Sequence, residues 1–161
     1  MFESHATADL AKEDLYSTLA HELEALIAGE ADLIANLANA AALIYHSLPD
    51  VNWAGFYLLR GEELVVGPFQ GKPACVRIAL GRGVCGTAAA RRETMLVDDV
   101  HAFAGHIACD AASNSEIVVP LLREGTLVGV LDVDSPRRAR FDAEDRRGLE
   151  RLVAILMRPM H

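Results

Sequence analysis

The order of hydrophobic periods along the chain predicts an α+β domain: a central antiparallel β-sheet with N-terminal and C-terminal helices packed on one face. Three observations lead there. Apolar residues recur at helical spacing up to Pro49, the period then drops to two in two pairs of adjacent segments, and the last stretch returns to helical spacing. With 161 residues, 52% of them apolar, the chain is long enough for one buried core. A single domain is expected over 1–161, its core at about 10–157 and residues 1–9 flexible.

The elements follow in order. Leu15, Leu19, Leu23, Leu26 and Ile27 form a helical stripe over Ala11–Gly29, with Gly29 as its stop, able to pack on its own domain or on a second subunit. Leu33, Ile34, Leu37, Ala41 and Ile44 form the next, with Asp32 as N-cap and Pro49 beyond its end. Trp53 to Leu59 and Glu63 to Phe69 flank Gly61-Glu62 as a hairpin, and Cys75 to Leu80 is a third strand candidate. Gly83 to Arg92 is a short Ala-rich helix, Thr94 to Val97 a short strand, and Asp98 to Asn114 a connection long enough to suggest a functional or mobile loop. Glu116–Leu122 and Leu127–Asp134 make a second hairpin across Arg123-Glu124-Gly125-Thr126. A helix capped by Asp142 runs to Met157 on Leu149, Leu152, Val153 and Leu156.

Composition excludes several classes. Fifteen basic against 23 acidic residues leave a net charge of −8, which argues against a nucleic-acid partner. The one basic cluster, Arg137, Arg138 and Arg140, is balanced by Asp142, Glu144 and Asp145 and reads as a solvated surface. No run of 18 apolar residues exists to span a bilayer. Met1-Phe2-Glu3-Ser4-His5 has neither a basic nor an apolar leader region, so a cytoplasmic location is expected. Three cysteines cannot all pair, and in a reducing compartment any disulfide among them would be transient, hence catalytic or sensing.

Cys109 is the most informative of them. It stands in a polar, small-residue segment, Gly105 to Glu116, rather than in a periodic apolar one, with Asp110 beside it. Asp132 and Asp134 are two apart in a strand and so share a face, where at least one should hold its proton more tightly than usual. A strict two-residue turn at Glu124-Gly125 would pair Glu116 with Val133, away from both aspartates; a bulge or a longer loop would shift the register by one and bring Glu116 to their face. Trp53 and Tyr57 share a face four residues apart, as core or as pocket wall. Gly81-Arg82-Gly83-Val84-Cys85-Gly86 matches a dinucleotide-binding pattern, but the seven residues between Gly86 and Thr94 are too few for a parallel crossover. The motif is then a tight turn or an anion-favouring helix start. His101 and His106 lack metal-site spacing with Cys109 and Asp110 and read as surface or supporting residues.

Gly67 to Cys75, Gly81 to Gly86, Gly105 to Asp110, Ser115 to Pro120 and Leu131 to Asp134 together resemble the GAF-type free methionine-(R)-sulfoxide reductases, over about residues 10–157. Ala79 and Ala104 stand where the resemblance would have proline, which bears on loop stiffness only. The resemblance implies a GAF fold, a homodimer, no metal or organic cofactor, and thioredoxin as reductant of an enzyme acting on free methionine-(R)-sulfoxide. By position it makes Cys109 the nucleophile, Cys75 the resolving cysteine and Cys85 an auxiliary one. Glu116, Asp132 and Asp134 match substrate-binding acids, and Trp53 and Tyr57 match pocket aromatics. The alternative is a ligand- or redox-sensing GAF domain without turnover.

Overall fold

The computed structural model describes residues 10–106 and 112–159. The expectations for residues 1–9 and for Cys109 and Asp110 lie outside that range. Helices α1 (Lys12–Ile27) and α2 (Leu33–Ser47) lead into β1 (Trp53–Arg60), β2 (Glu63–Gly71) and β3 (Arg77–Ala79). Helix α3 (Gly83–Arg91), β4 (Met95–Val97), a turn of 3-10 helix at Val100–Ala102, β5 (Ser115–Arg123), β6 (Thr126–Ser135) and α4 (Ala143–Leu156) complete the order. The strands form an antiparallel sheet in the order β3-β2-β1-β6-β5-β4. No described helix is long and apolar enough to cross a membrane.

Local chemistry explains the element ends. The Asp32 carboxylate accepts the Ala35 amide, and Gly29 takes the left-handed conformation (φ 75°) that stops α1. At α4, Asp142 accepts the amides of Glu144 and Asp145 while the Asp145 side chain accepts the Asp142 amide, a reciprocal capping box. The third strand is shorter than the sequence suggests. Only Arg77 to Ala79 pairs with β2, because the chain leaves the ladder at Gly71 (φ 130°) and passes through Pro73, which has no amide to donate. Cys75 therefore sits in the connecting loop.

The sheet separates two apolar clusters by the alternation of its strands. Ala54, Phe56 and Leu58 from β1, Ile117, Val119 and Leu121 from β5, and Leu131 and Val133 from β6 pack against α1, α2 and α4. Trp53, Tyr57, Val118 and Val130 point the other way, against α3. The expected helices on one face are α1, α2 and α4, so the α1 stripe packs within the chain. The short helix α3 lies on the opposite face, joining β3 at one sheet edge to β4 at the other.

One prediction about the surface is corrected. Arg137 and Arg138 are exposed as expected, but Arg140 and Asp145 are buried and face each other at 3.3 Å. The Asp145 carboxylate also accepts from the Tyr16 hydroxyl and the Lys12 ammonium, both at 2.7 Å, which pins α1 to α4. The sequence reading failed because Tyr16 and Lys12 lie more than a hundred residues away.

Candidate active site

The acids of the second hairpin are brought together by one irregularity. From Arg123↔Thr126 and Leu122↔Leu127 the ladder slips at Leu121, which pairs with Gly129, leaving Val128 as an extra residue on β6. Beyond this bulge Glu116 pairs with Asp134 and Val118 with Asp132. Partners across a ladder share a face, so Glu116, Asp132 and Asp134 all project toward α3.

They line a pocket between the sheet and α3. Its apolar wall is Trp53 and Tyr57, and its far side is the start of α3 with Arg82, Val84 and Cys85. Trp53 stacks on Tyr57 (centroids 5.8 Å apart) and on Phe69 (5.1 Å), so both readings of these aromatics hold: they are packed and they wall a cavity. The Trp53 indole N–H donates to the Lys72 carbonyl at 3.1 Å, tying the loop that carries Cys75 to the pocket wall. Pro73 and Ala74 of that loop line the pocket directly.

The electrostatics follow from burial. Glu116 and Asp132 are 7% and 5% exposed. Burial pushes the Glu116 carboxyl well above the usual range, with Asp132 adding to the effect. Asp132 is raised by burial and then by the charge of Asp134. The Oδ1 atom of Asp132 is buried with no hydrogen-bond partner among the described residues, a costly arrangement unless a ligand supplies the donor. Burial also raises the Cys85 thiol, as do Asp132 and Glu116, so it stays protonated and points its S–H at Glu116 Oε2, 4.0 Å away. Tyr57 is held neutral by the same combination of burial and nearby acids.

The glycine motif is both a turn and a pocket edge. The Gly81 amide donates to the Gly86 carbonyl at 2.8 Å, and a Cβ on Gly86 would stand 2.5 Å from the Ala79 carbonyl oxygen. Only glycine allows that approach. Arg82, Gly83 and Val84 then open α3 toward the cavity, where backbone amides and a guanidinium favour an anion. Arg82 and Ser113 are pocket residues that sequence reasoning misses. Arg82 was hidden inside a motif weighed for dinucleotides, and Ser113 carries no signal in the sequence. His106 lines the pocket too, half-buried, its pKa lowered by burial and then by His101. His101 instead contacts Asn114 Oδ1 at 3.1 Å on the surface.

His106 and Ser113 both line this pocket, and Cys109 falls between them in the sequence. Cys85, Glu116 and Asp132 offer one sulfur and two carboxylate oxygens within 4.8 Å of one another, a set of donors able to hold a metal ion.

Comparison with known proteins agrees with the fold. The family model for the GAF domain matches residues 35–157. The free methionine-R-sulfoxide reductase of Escherichia coli strain K12 is 58% identical over 145 residues, covering 90% of this chain and 88% of the relative. The free methionine-R-sulfoxide reductase of Saccharomyces cerevisiae is 43% identical, covering 93% of this chain and 88% of its own. A crystal structure of the free methionine-R-sulfoxide reductase from Neisseria meningitidis in complex with its substrate superposes with a TM-score of 0.93 at 46% identity, covering 98% of this chain and 94% of that one. The chain belongs to the GAF-type free methionine-(R)-sulfoxide reductase family.

Proposed function

We propose that this chain reduces free L-methionine-(R)-S-oxide to L-methionine, acting as a cytoplasmic, homodimeric single GAF domain recharged by thioredoxin. The observation that carries the reading is the pocket in which Glu116, Asp132 and Asp134 meet two stacked aromatics, with the residues on either side of the Cys109 segment at its wall. The reductases of Escherichia coli and Neisseria meningitidis, so similar over nearly the whole chain, support the same assignment.

In this reading Cys109 is the nucleophile. Its thiolate attacks the sulfoxide sulfur while a carboxyl group of the acid cluster donates a proton to the oxygen, which is a poor leaving group until protonated. Glu116 and Asp132, both raised by burial, can keep that proton near neutral pH. The oxygen passes to Cys109 as a sulfenic acid and methionine leaves. The Cys75 thiol condenses with the sulfenic acid, releasing water and forming a disulfide, and a dithiol reductant restores both thiols. The state of Cys75, whose sulfur is disulfide-bonded while Cys85 is a free buried thiol, supports Cys75 over Cys85 as the resolving group.

Ionised acids near Cys109 would disfavour its thiolate. The substrate ammonium, held by Asp132, Asp134 and Glu116, offsets them and supplies the donor that Asp132 Oδ1 lacks among the described residues. The substrate carboxylate faces Arg82 and the first amides of α3. A peptide-linked methionine oxide carries neither charge and would leave both sets of groups unpaired, which is the basis for selecting the free amino acid.

The deciding experiment supplies each free methionine sulfoxide epimer with dithiothreitol and measures methionine. The R epimer alone should be consumed. Cys109→Ser should release none, and Cys75→Ser should release about one methionine per site and then stall with thioredoxin. No methionine from either epimer would overturn the reading in favour of a sensor.

A further inference from the structure

Beside its acids the pocket holds a thiol that the proposed reduction does not use. Cys85 takes no part in the proposed reaction, yet it is buried in the pocket wall with its sulfur 4.0 Å from Glu116 Oε2. Asp132 completes a triangle of one sulfur and two carboxylates whose donor atoms all lie within 4.8 Å of one another. Neither Glu116 nor Asp132 pairs with a lysine or arginine among the described residues, and Asp132 Oδ1 has no hydrogen-bond partner there. Three potential anions thus meet at a point where no lysine or arginine among the described residues pairs with them, Arg82 lining the same pocket without an ion pair to either carboxylate.

We propose that Cys85, Glu116 and Asp132 form a binding site for a thiophilic divalent cation of the Zn2+ class, which excludes the amino-acid substrate when it is bound. The donor set discriminates among metals. Mg2+ and Ca2+ take six or more oxygens, whereas a sulfur with two carboxylate oxygens suits a four-coordinate ion, its last position open to the cavity. Zn–S and Zn–O bonds of about 2.3 and 2.0–2.2 Å require the three donors to close in by small side-chain rotations. The metal displaces the thiol proton and any carboxyl proton, and its two positive charges offset the anions so formed. The site itself stands on the geometry alone, while the exclusion of substrate rests on the function proposed above, since the ion would occupy the place of the ammonium.

The test uses Cd2+, which reports thiolate ligation by an ultraviolet charge-transfer band, in full-length protein carrying Cys75→Ser and Cys109→Ser so that Cys85 is the only thiol left. One Cd2+ per chain should bind with that band. Adding Cys85→Ser should abolish the band, and adding Glu116→Gln or Asp132→Asn should weaken affinity by about 10–100-fold. Circular dichroism of each variant confirms that the fold is retained, and the Glu116 and Asp132 variants serve where the Cys85 change alone unfolds the chain. A band that persists without Cys85, or an affinity indifferent to both carboxyl changes, would overturn the site. Free methionine-(R)-sulfoxide, which this background cannot turn over, should displace the bound Cd2+. A band that survives saturating sulfoxide would overturn the exclusion and the amino-acid reading of the pocket while leaving the metal site standing.

Discussion

Asp145 and Asp132 are both buried aspartates, 0% and 5% exposed, on opposite sides of one sheet. Asp145 is surrounded by donors: the Tyr16 hydroxyl, the Lys12 ammonium, the Arg140 guanidinium and the Asp142 amide. Asp132 faces Glu116, Asp134 and the Cys85 thiol, and keeps one oxygen without a partner among the described residues. Asp145 joins three parts of the chain, so its burial holds the architecture together. Asp132 is a local cost that the fold carries elsewhere, the usual sign of a group kept for a ligand.

The contrast has measurable consequences. Asp145→Ala leaves Arg140 buried without its counter-charge and should destabilise the fold by about 3–5 kcal/mol, read from urea unfolding, with the kcat/KM of the folded fraction unchanged. A loss below about 1 kcal/mol would remove Asp145 from its structural role. Asp132→Asn should do the reverse: kcat/KM for the free sulfoxide falls about 10–100-fold through loss of a charge-assisted hydrogen bond, while stability at neutral pH holds or rises. Wild-type kinetics would place the ammonium elsewhere. Gly148→Ala approaches the Asp145 cluster from α4, since a Cβ there would run into the Tyr16 ring. Thermal unfolding should show a loss of about 1–3 kcal/mol without any change in KM.

The subtlest consequence is a pair of opposite pH slopes. Glu116 and Asp132 are raised in the folded state, so their contribution is fully present below the ordinary carboxylate range and is lost as pH climbs toward their folded values. The double variant Glu116→Gln/Asp132→Asn should therefore gain on the wild type in melting temperature as pH rises from acid to neutral. Asp142 behaves inversely. Its own burial works against ionisation, but the Lys12 ammonium and the Asp145 amide prevail and lower it from 3.8 to about 2. Its contribution is present above 3.8 and fades as pH falls through 2, so Asp142→Asn should cost stability at neutral pH and nothing in strong acid. Parallel slopes in the two variants would contradict the assignment.

Much of this was legible along the chain because it is local. Helix caps at Asp32 and Asp142, the stop at Gly29 and both hairpins depend on neighbours within a few residues, and each lies where the pattern placed it. Trp53 with Tyr57, and Asp132 with Asp134, could be assigned to common faces from strand alternation alone. The reading of Arg140 and Asp145 as solvated charges failed for the complementary reason: composition sees balanced charge but not the distant Tyr16 and Lys12 that bury it. Arg82 and Ser113 were missed likewise, since a pocket wall has no periodicity.

The amino-acid order by itself determined the alternation that sends Leu131 and Val133 to one side and Asp132 and Asp134 to the other, and the capped helices that enclose them. It left the alignment of β5 on β6 open between two registers, one of which turns Glu116 away. The tertiary structure decided that question through a single extra residue, Val128, and placed Cys85 beneath the acids by laying α3 across the second face. Alternation is a property of each strand's own backbone, whereas register and helix placement depend on how separate surfaces pack, and that information exists only once the chain has closed on itself.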